Sequence, residues 1–333
     1  MTPVMKRILL DKESLSAEGG LVIALGFFDG IHVGHQKLIN WTVTLARQWG
    51  YSPALFTFSR HPLEVIHSGL CFPYLSSMNE KHCIARELGI EYFITIDFSE
   101  EFSRLSPREF VSDILRDRLD GRVFVVGRDY RFGFHGSGNR ETLEKLASEF
   151  GGKVHSTEDV TIAGQRVSST GIREAIMGGN MELARKCLGR WYNLSGEVKQ
   201  GKKRGRGLGF PTANLDLPSD RVMPRPGVYG VFVRAGEQVY PGAAHVGERP
   251  TFRESSYNLE VHLLNYSGDL YGREITVYFV RHLRDTVDYE TPELMIRQIQ
   301  KDVGRCREIL VPMSQRKILE NIPCPGDVSI AFK

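Results

Sequence analysis

The stretch that most constrains this chain is LVIALGFFDGIHVGH, residues 21–35. Residues 21–28 are apolar at nearly every position, the pattern of a strand buried on both faces of a parallel sheet. The run breaks at Asp29-Gly30, and a helix is predicted from about 33 to 49, with Gly50 as its stop. Strand, glycine turn and helix form the unit through which an α/β sheet presents a ligand at the carboxyl end of a strand. His32 and His35 stand three residues apart at the helix start, a spacing that sets them on one face. That end of a helix carries unpaired backbone N–H groups and a partial positive charge of about half a unit. A polyphosphate suits this constellation better than a metal ion, because no third ligand lies nearby and HExxH is absent. Element by element it is an ordinary βα turn with two surface histidines. Asp29, Gly30, His32, Gly34 and His35 together, at the end of one apolar strand, favour the phosphate site.

The following segments repeat the alternation. Strands are predicted over 52–58, 90–98 and 122–126, and helices over 77–88, 107–119 and 139–150. Ser106-Pro107-Arg108-Glu109 is a capping box with proline at the first helical position. This pattern argues for an α/β domain with a mostly parallel sheet covered on both faces. Two strand ends carry further candidates: TFSRHP at 57–62, with His61, and GRDYRFG at 127–133, with Asp129. RVSST at 166–170 precedes a short helix predicted over 171–177, and another helix is predicted over 181–188. Arg166, Ser169 and Thr170 there form a second anion cradle, with an ordinary helix cap as the alternative.

After Gly189 the pattern changes. Short segments at 192–200, 227–234, 240–246, 258–266 and 274–283 read as strands separated by turn residues, and 292–310 reads as an amphipathic closing helix. Even spacing, aromatic residues and many glycines predict a small closed β-barrel. At 333 residues two domains are expected, with the boundary near 188–192. Hydrophobic content of 41% and charged content of 25% are those of an ordinary globular chain. A net charge of +3 suits anionic small ligands and does not demand nucleic acid. No apolar run approaches the ~18 residues of a membrane span, and the N-terminus does not read as a signal peptide. The five cysteines form no CxxC pair, so neither a zinc site nor a disulfide framework is indicated and a cytoplasmic location is expected.

Residues 201–214, GKKRGRGLGFPTAN, hold four glycines and four cations. Gly201, Lys202, Gly205 and Gly209 would let a backbone wrap closely around an anion, and a solvated basic hairpin is the alternative. The segment is not a Walker A loop. Thr212 offers a hydroxyl and Asn214 a side-chain carbonyl, both suited to Mg²⁺.

GFFDGIHVGH resembles the signature of the HxGH nucleotidyltransferases, and its longer form GxFDGxHxGH resembles the adenylyltransferase half of the bacterial riboflavin kinase/FAD synthetase family. TFSRHP, GRDYRFG and SSTGIR are similar to that family's TFxPHP, GxDFxFG and SSTxIR, with departures at Phe27, Ser59-Arg60, Tyr130 and Gly171. GFPTAN resembles the riboflavin kinase motif, and PRPGVY (224–229), GERPTF (247–252), EVH (260–262) and LYG (270–272) match its later segments. The resemblance implies a Rossmann-like nucleotidyltransferase domain over 18–188, a riboflavin kinase barrel over 189–311 and an accessory tail over 312–333. It implies phosphorylation of riboflavin to FMN and adenylylation of FMN to FAD, with ATP as co-substrate and Mg²⁺ as cofactor. Glu260 is its implied catalytic base, and Thr212 and Asn214 its metal ligands. His32 and His35 act on the transferring phosphate. Phe28, Asp29, Gly30, Gly34, Arg166, Ser169, Thr170 and Arg173 bind nucleotide or phosphate, and His61 and Asp129 contact the flavin or nucleobase. The partners it implies are small molecules, with neither nucleic acid nor membrane. The alternatives are a chain with one active module, or a flavin- or RNA-binding regulator that reuses the fold.

Overall fold

The structure, a computed structural model, describes residues 5–10, 15, 19–67, 71–200, 209–250 and 255–313. The described residues divide into two compact units, the first ending at Ser168 and the second beginning at Ser169.

The first unit is built on a six-stranded sheet. Its strands are β1 (Lys6–Leu9), β2 (Leu21–Leu25), β3 (Ser52–Phe58), β4 (Tyr92–Ile96), β5 (Gly121–Gly127) and β6 (Lys153–Thr157). The order is β1-β4-β3-β2-β5-β6, and every neighbouring pair is parallel. In β2, Leu21, Ile23 and Leu25 enter the core on one face, and Val22 and Ala24 enter the core on the other. The two-residue period of a strand accounts for the continuous apolar run. The chain goes from β2 outward through β3 to β4, then returns to lay β5 on the other side of β2. The switch point, where such sheets bind ligands, falls at the carboxyl end of β2.

Helix α1 (Val33–Trp49) follows, ending on Gly50 in the left-handed conformation, whose N–H donates to the Ala46 carbonyl. Helices α2 (Pro62–Ile66), α3 (Met78–Glu87), α4 (Glu100–Ser103), α5 (Pro107–Glu109) and α6 (Arg140–Ser148) complete the alternation, and a π-helical run, Phe110–Arg118, continues α5. The capping box is formed: the Glu109 amide donates to Ser106 Oγ at 3.2 Å, and the Ser106 amide donates to Glu109 Oε2 at 2.7 Å. Three features differ from expectation. β2 ends at Leu25, because Phe28 turns left-handed with φ 55°. β1 and β6 extend the sheet at its two edges. A two-stranded hairpin, β7 (Thr161–Ile162) and β8 (Gln165–Arg166), precedes the second unit.

The second unit opens with α7 (Ser169–Met177) and α8 (Met181–Leu188). α8 packs on β9 (Tyr192–Lys199) and β14 (Glu274–Arg284). With β10 (Ala213–Asp216), β11 (Gly227–Ala235), β12 (Gln238–Pro250) and β13 (Ser255–Leu263), these strands close an antiparallel barrel of order β10-β13-β12-β11-β14-β9. β10 was not read from the sequence. The closing helix, α9 (Pro292–Leu310), is capped by Thr291 and buries Val303, Cys306 and Leu310 against Trp191, Phe232 and Tyr278. Asp302 of α9, also buried, accepts hydrogen bonds from Arg284 at 2.8–3.1 Å and from Gln298 at 3.0 Å, which ties the helix to the end of β14.

Candidate functional sites

At the end of β2 the chain makes a compact turn. Phe28 is left-handed and buried in the core, and Gly30 follows with φ 79°. The buried Asp29 carboxylate accepts the amides of Leu75 (3.0 and 3.1 Å) and Ser76 (3.3 Å), and the Gly30 amide donates to Ser76 Oγ at 3.0 Å. The side chains of Phe28 and Asp29, expected on nucleotide or phosphate, therefore build the turn: one fills the core and the other holds the 75–76 loop.

His32 is the N-cap of α1. Its Nδ1 accepts the His35 amide at 3.2 Å, which leaves the proton of the neutral ring on Nε2. The two imidazoles stack with centroids 3.6 Å apart and planes 15° from parallel, and the Phe28 ring meets His35 edge-on at 5.2 Å. A Cβ on Gly34 would stand 3.1 Å from His32 Cε1, so glycine there makes room for the folded-over ring. Burial, then His32, then Lys81 hold the His35 imidazole well below its usual range, and it is neutral at pH 7. The helix start thus presents two stacked imidazoles, that of His35 neutral, an arrangement that can donate to an oxyanion.

The neighbouring strand ends behave differently from one another. His61 stacks on Phe72 at 3.6 Å and meets Phe27 edge-on at 4.7 Å, while Tyr74 accepts the His61 amide at 2.9 Å. These rings form an aromatic cluster after β3. Ser59 and Arg60 both bind Asp97, at 2.7 and 3.3 Å, so the pair that departs from the family pattern joins the ends of β3 and β4. Asp129 and Arg166, expected as separate ligand contacts, are paired with each other at 2.8 Å, and Arg166 also reaches Asp159 at 3.0 Å. Ser169, Thr170 and Arg173 lie on α7, in the second unit.

On the barrel, alternation turns Ala213, Leu215, Ala244, Val246, Leu259, Val261 and Leu263 inward. Asn214, His245, Asn258 and Glu260 fall on the opposite face of their strands, and Thr212 stands one residue ahead of β10. In register, Asn214 lies across from Glu260, and His245 across from Glu260 on its other side. Thr212 Oγ1 donates to Glu260 Oε2 at 3.3 Å, and Asn258 Nδ2 donates to Glu260 Oε1 at 2.7 Å. Burial is the main reason that His245 titrates below its usual range, with Arg284 adding to it and Glu260 opposing. The hydroxyl, amide carbonyl and carboxylate oxygens are hard donors that fit a magnesium-like ion. Gly201, Lys202 and Gly205 lie outside the described residues, as do 251–252 of GERPTF and the tail beyond 313. Gly209 is left-handed, φ 84°, just ahead of the Pro211-Thr212 step.

Lys81, the Phe72–Tyr74 rings, His245 and Asn258 were missed in the sequence. A lysine on a helix reads as a wet face, and the barrel pair needs the strand register to be known.

Comparison with known proteins divides the chain in the same way. The FAD synthetase family description matches residues 14–171 and the riboflavin kinase description matches residues 188–310. A protein of Escherichia coli K12 named bifunctional riboflavin kinase/FMN adenylyltransferase is 35% identical over 296 residues, covering 89% of this chain and 94% of the relative. A Bacillus subtilis protein of the same name is 33% identical over 291 residues, covering 84% and 90%. A crystal structure described as a macrolide-efflux protein from Streptococcus pneumoniae superposes with a TM-score of 0.84 at 31% identity, covering 91% of this chain and 99% of that one. Among the described residues of this chain, no helix is long and apolar enough to cross a membrane.

Proposed function

This chain belongs to the bifunctional riboflavin kinase/FMN adenylyltransferase family and carries both the FAD synthetase and the riboflavin kinase domain; on that premise we propose how its residues divide the two transfers. The chain is a transferase that phosphorylates riboflavin to FMN with ATP and adenylylates FMN to FAD.

In the barrel, Glu260 accepts the proton of the riboflavin hydroxyl as its oxygen attacks the γ-phosphorus of ATP. Asn258 and Thr212 orient the carboxylate. Thr212 and Asn214 would hold Mg²⁺, which when bound neutralises charge on the ATP phosphates. Gly201, Lys202, Gly205 and Gly209 belong to the loop that would wrap those phosphates.

In the first unit, an FMN phosphate oxygen attacks the α-phosphorus of ATP and pyrophosphate leaves. No protein nucleophile is needed, so the site aligns two anions and donates hydrogen bonds to the extra charge. His32 and His35, with the helix-start backbone around Gly34, do this, while Gly30 shapes the turn, its amide being held by Ser76. By the family pattern, Arg166 is a nucleotide-phosphate ligand and His61 and Asp129 contact the flavin or nucleobase; Ser169, Thr170 and Arg173, on α7 of the second unit, are phosphate ligands by the same pattern. The corresponding domain limits are 18–188 and 189–311. The enzyme acts in the cytoplasm on small molecules, without nucleic acid or membrane.

The pairing of Asn214 with Glu260 across β10 and β13, with Thr212 hydrogen-bonded to the same carboxylate, is the observation that most supports this reading. The test is purified protein incubated with riboflavin, ATP and Mg²⁺, its products separated by chromatography. FMN followed by FAD is expected. FMN alone would mean that only the barrel is active.

A further inference from the structure

Lys81 is a buried lysine that reaches from α3 to the turn after β2. It is 2% exposed, and lysines are almost never fully buried unless paired. It stands directly after the capping box of α3, which Ser77 and Glu80 form, close to the helix end that disfavours a cation. Its Nζ donates to the Phe27 carbonyl at 3.1 Å and lies 4.1 Å from the centre of the Phe27 ring. The same carbonyl accepts the Thr57 hydroxyl at 2.8 Å. Phe27 is therefore held from β3 and α3 at once, between the end of β2 and the left-handed Phe28. Its ring reaches the aromatic cluster, 4.7 Å from His61 and 6.1 Å from Tyr74.

We propose that Lys81 is a positioning residue of the adenylyl-transfer site: its ammonium, held between the carbonyl and the ring of Phe27, locks the Phe27–Phe28 turn beneath the histidine pair. The inference rests on the assignment of His32 and His35 to that site. The reaction brings an ATP polyphosphate and an FMN phosphate together. A lysine ammonium beside the turn offsets part of that repulsion without requiring an imidazole to be protonated. The stack itself resists protonation, because two charged rings 3.6 Å apart would repel and a proton on His32 Nδ1 would displace the His35 amide. Among the described residues, Lys81 from α3 acts electrostatically on His35, and Asp29 in the turn engages the Leu75 and Ser76 amides through its carboxylate. Lys81 acts on His35 in the direction required, adding to the effect of burial.

The test uses the full chain with Lys81→Met, which keeps the stem and removes the charge, and Lys81→Arg, which keeps the charge. His35→Ala is the reference. FAD formation from supplied FMN and ATP is followed against pH, FMN formation from riboflavin is followed in parallel, and the histidine ring protons are titrated by NMR. Lys81→Met should lower kcat/KM for FAD formation about 10- to 100-fold, the range typical when a partner that orients a functional group is lost. It should also move the acid limb and the His35 titration up in pH. Lys81→Arg should keep both near their wild-type positions, and FMN formation should be unchanged in both. An unmoved acid limb in Lys81→Met, or an equal loss in Lys81→Arg with the limb in place, would overturn the proposal and leave Lys81 a structural hydrogen-bond donor. Should Lys81→Met not fold, the wild-type enzyme still decides: His35 titrating at or above 6.5 overturns it. Full FAD synthesis by His35→Ala would instead remove the histidine-pair assignment.

Discussion

Asn214 and Glu260 face each other across the β10–β13 ladder, one strand residue opposite one strand residue. An amide carbonyl and a carboxylate are thereby set side by side on a wall whose other face is the barrel core. Thr212, one residue ahead of β10, reaches the same carboxylate through its hydroxyl. Backbone pairing thus sets Asn214 and Glu260 side by side, and the Thr212 hydrogen bond adds a third oxygen.

Glu260→Gln tests what the carboxylate does. Glutamine keeps the length and can still accept one of the two hydrogen bonds that Thr212 and Asn258 give to separate oxygens, but it is not basic. A positioned general base contributes about 100- to 10,000-fold. FMN production should fall within that range while riboflavin and ATP–Mg²⁺ still bind, and supplied FMN should still be converted to FAD. Near wild-type phosphorylation would make Glu260 an ordinary strand carboxylate.

The histidine pair should separate into two roles. His32→Ala removes both a donor and the cap of α1, so it should lower FAD formation about 100-fold or more. It should also lower stability by about 1 kcal/mol. His32→Asn can still cap the helix and should recover the melting temperature without the activity. His35→Ala should match the activity loss with little change in melting. Equal destabilisation by His32→Ala and His35→Ala in calorimetry would contradict the capping role of His32.

These roles were unequally legible beforehand. β2 was readable because burial on both faces demands an apolar residue at each position. β1 and β6 sit at sheet edges and are largely half-buried or exposed, so no apolar run marks them. β10 is four residues long and follows a glycine- and proline-rich stretch, which hides it. His32, His35, Thr212 and Glu260 were legible as motifs, since each lies in a local spacing. Arg166 and Asp129 were legible only as charges. That they pair with each other depends on the β7–β8 hairpin, which brings Arg166 back to the end of β5.

The kinase domain should be separable, but the cut matters. Arg185 of α8 lies over the Trp191 ring at 4.1 Å, and the Arg225 amide donates to the Ile176 carbonyl of α7 at 3.3 Å. Both helices belong to the unit that starts at Ser169. A fragment of residues 169–322 should fold and make FMN but no FAD. One beginning at Arg190 exposes Trp191 and the apolar strand surface under α8, and should be at least about 2 kcal/mol less stable, the equivalent of unburying one large side chain. Denaturant melts of the two fragments check this. Equal midpoints would mean that α7 and α8 add nothing to the barrel.

His82 should make the first unit sensitive to acid. Its ring is buried against Phe93, centroids 4.1 Å apart, and its Nδ1 has no hydrogen-bond partner among the described residues. Burial, with help from Arg7 of β1 and Lys81 of α3, lowers its pKa from 6.5 to about 4. Between those values the unfolded chain binds a proton that the folded one refuses, so stability rises with pH there and falls as pH drops below about 6.5. From pH 7 to pH 5 the loss from this one group is about 2 kcal/mol. His82→Leu removes the titrating ring and should reduce the drop in stability between those two pH values by about that amount. The remaining drop belongs partly to His35 and His155, which also titrate below their usual range. Chemical denaturation of the two proteins at pH 7 and pH 5 measures the difference directly. An identical pH dependence in His82→Leu would mean that the buried ring takes up its proton in the folded state as readily as in the unfolded one.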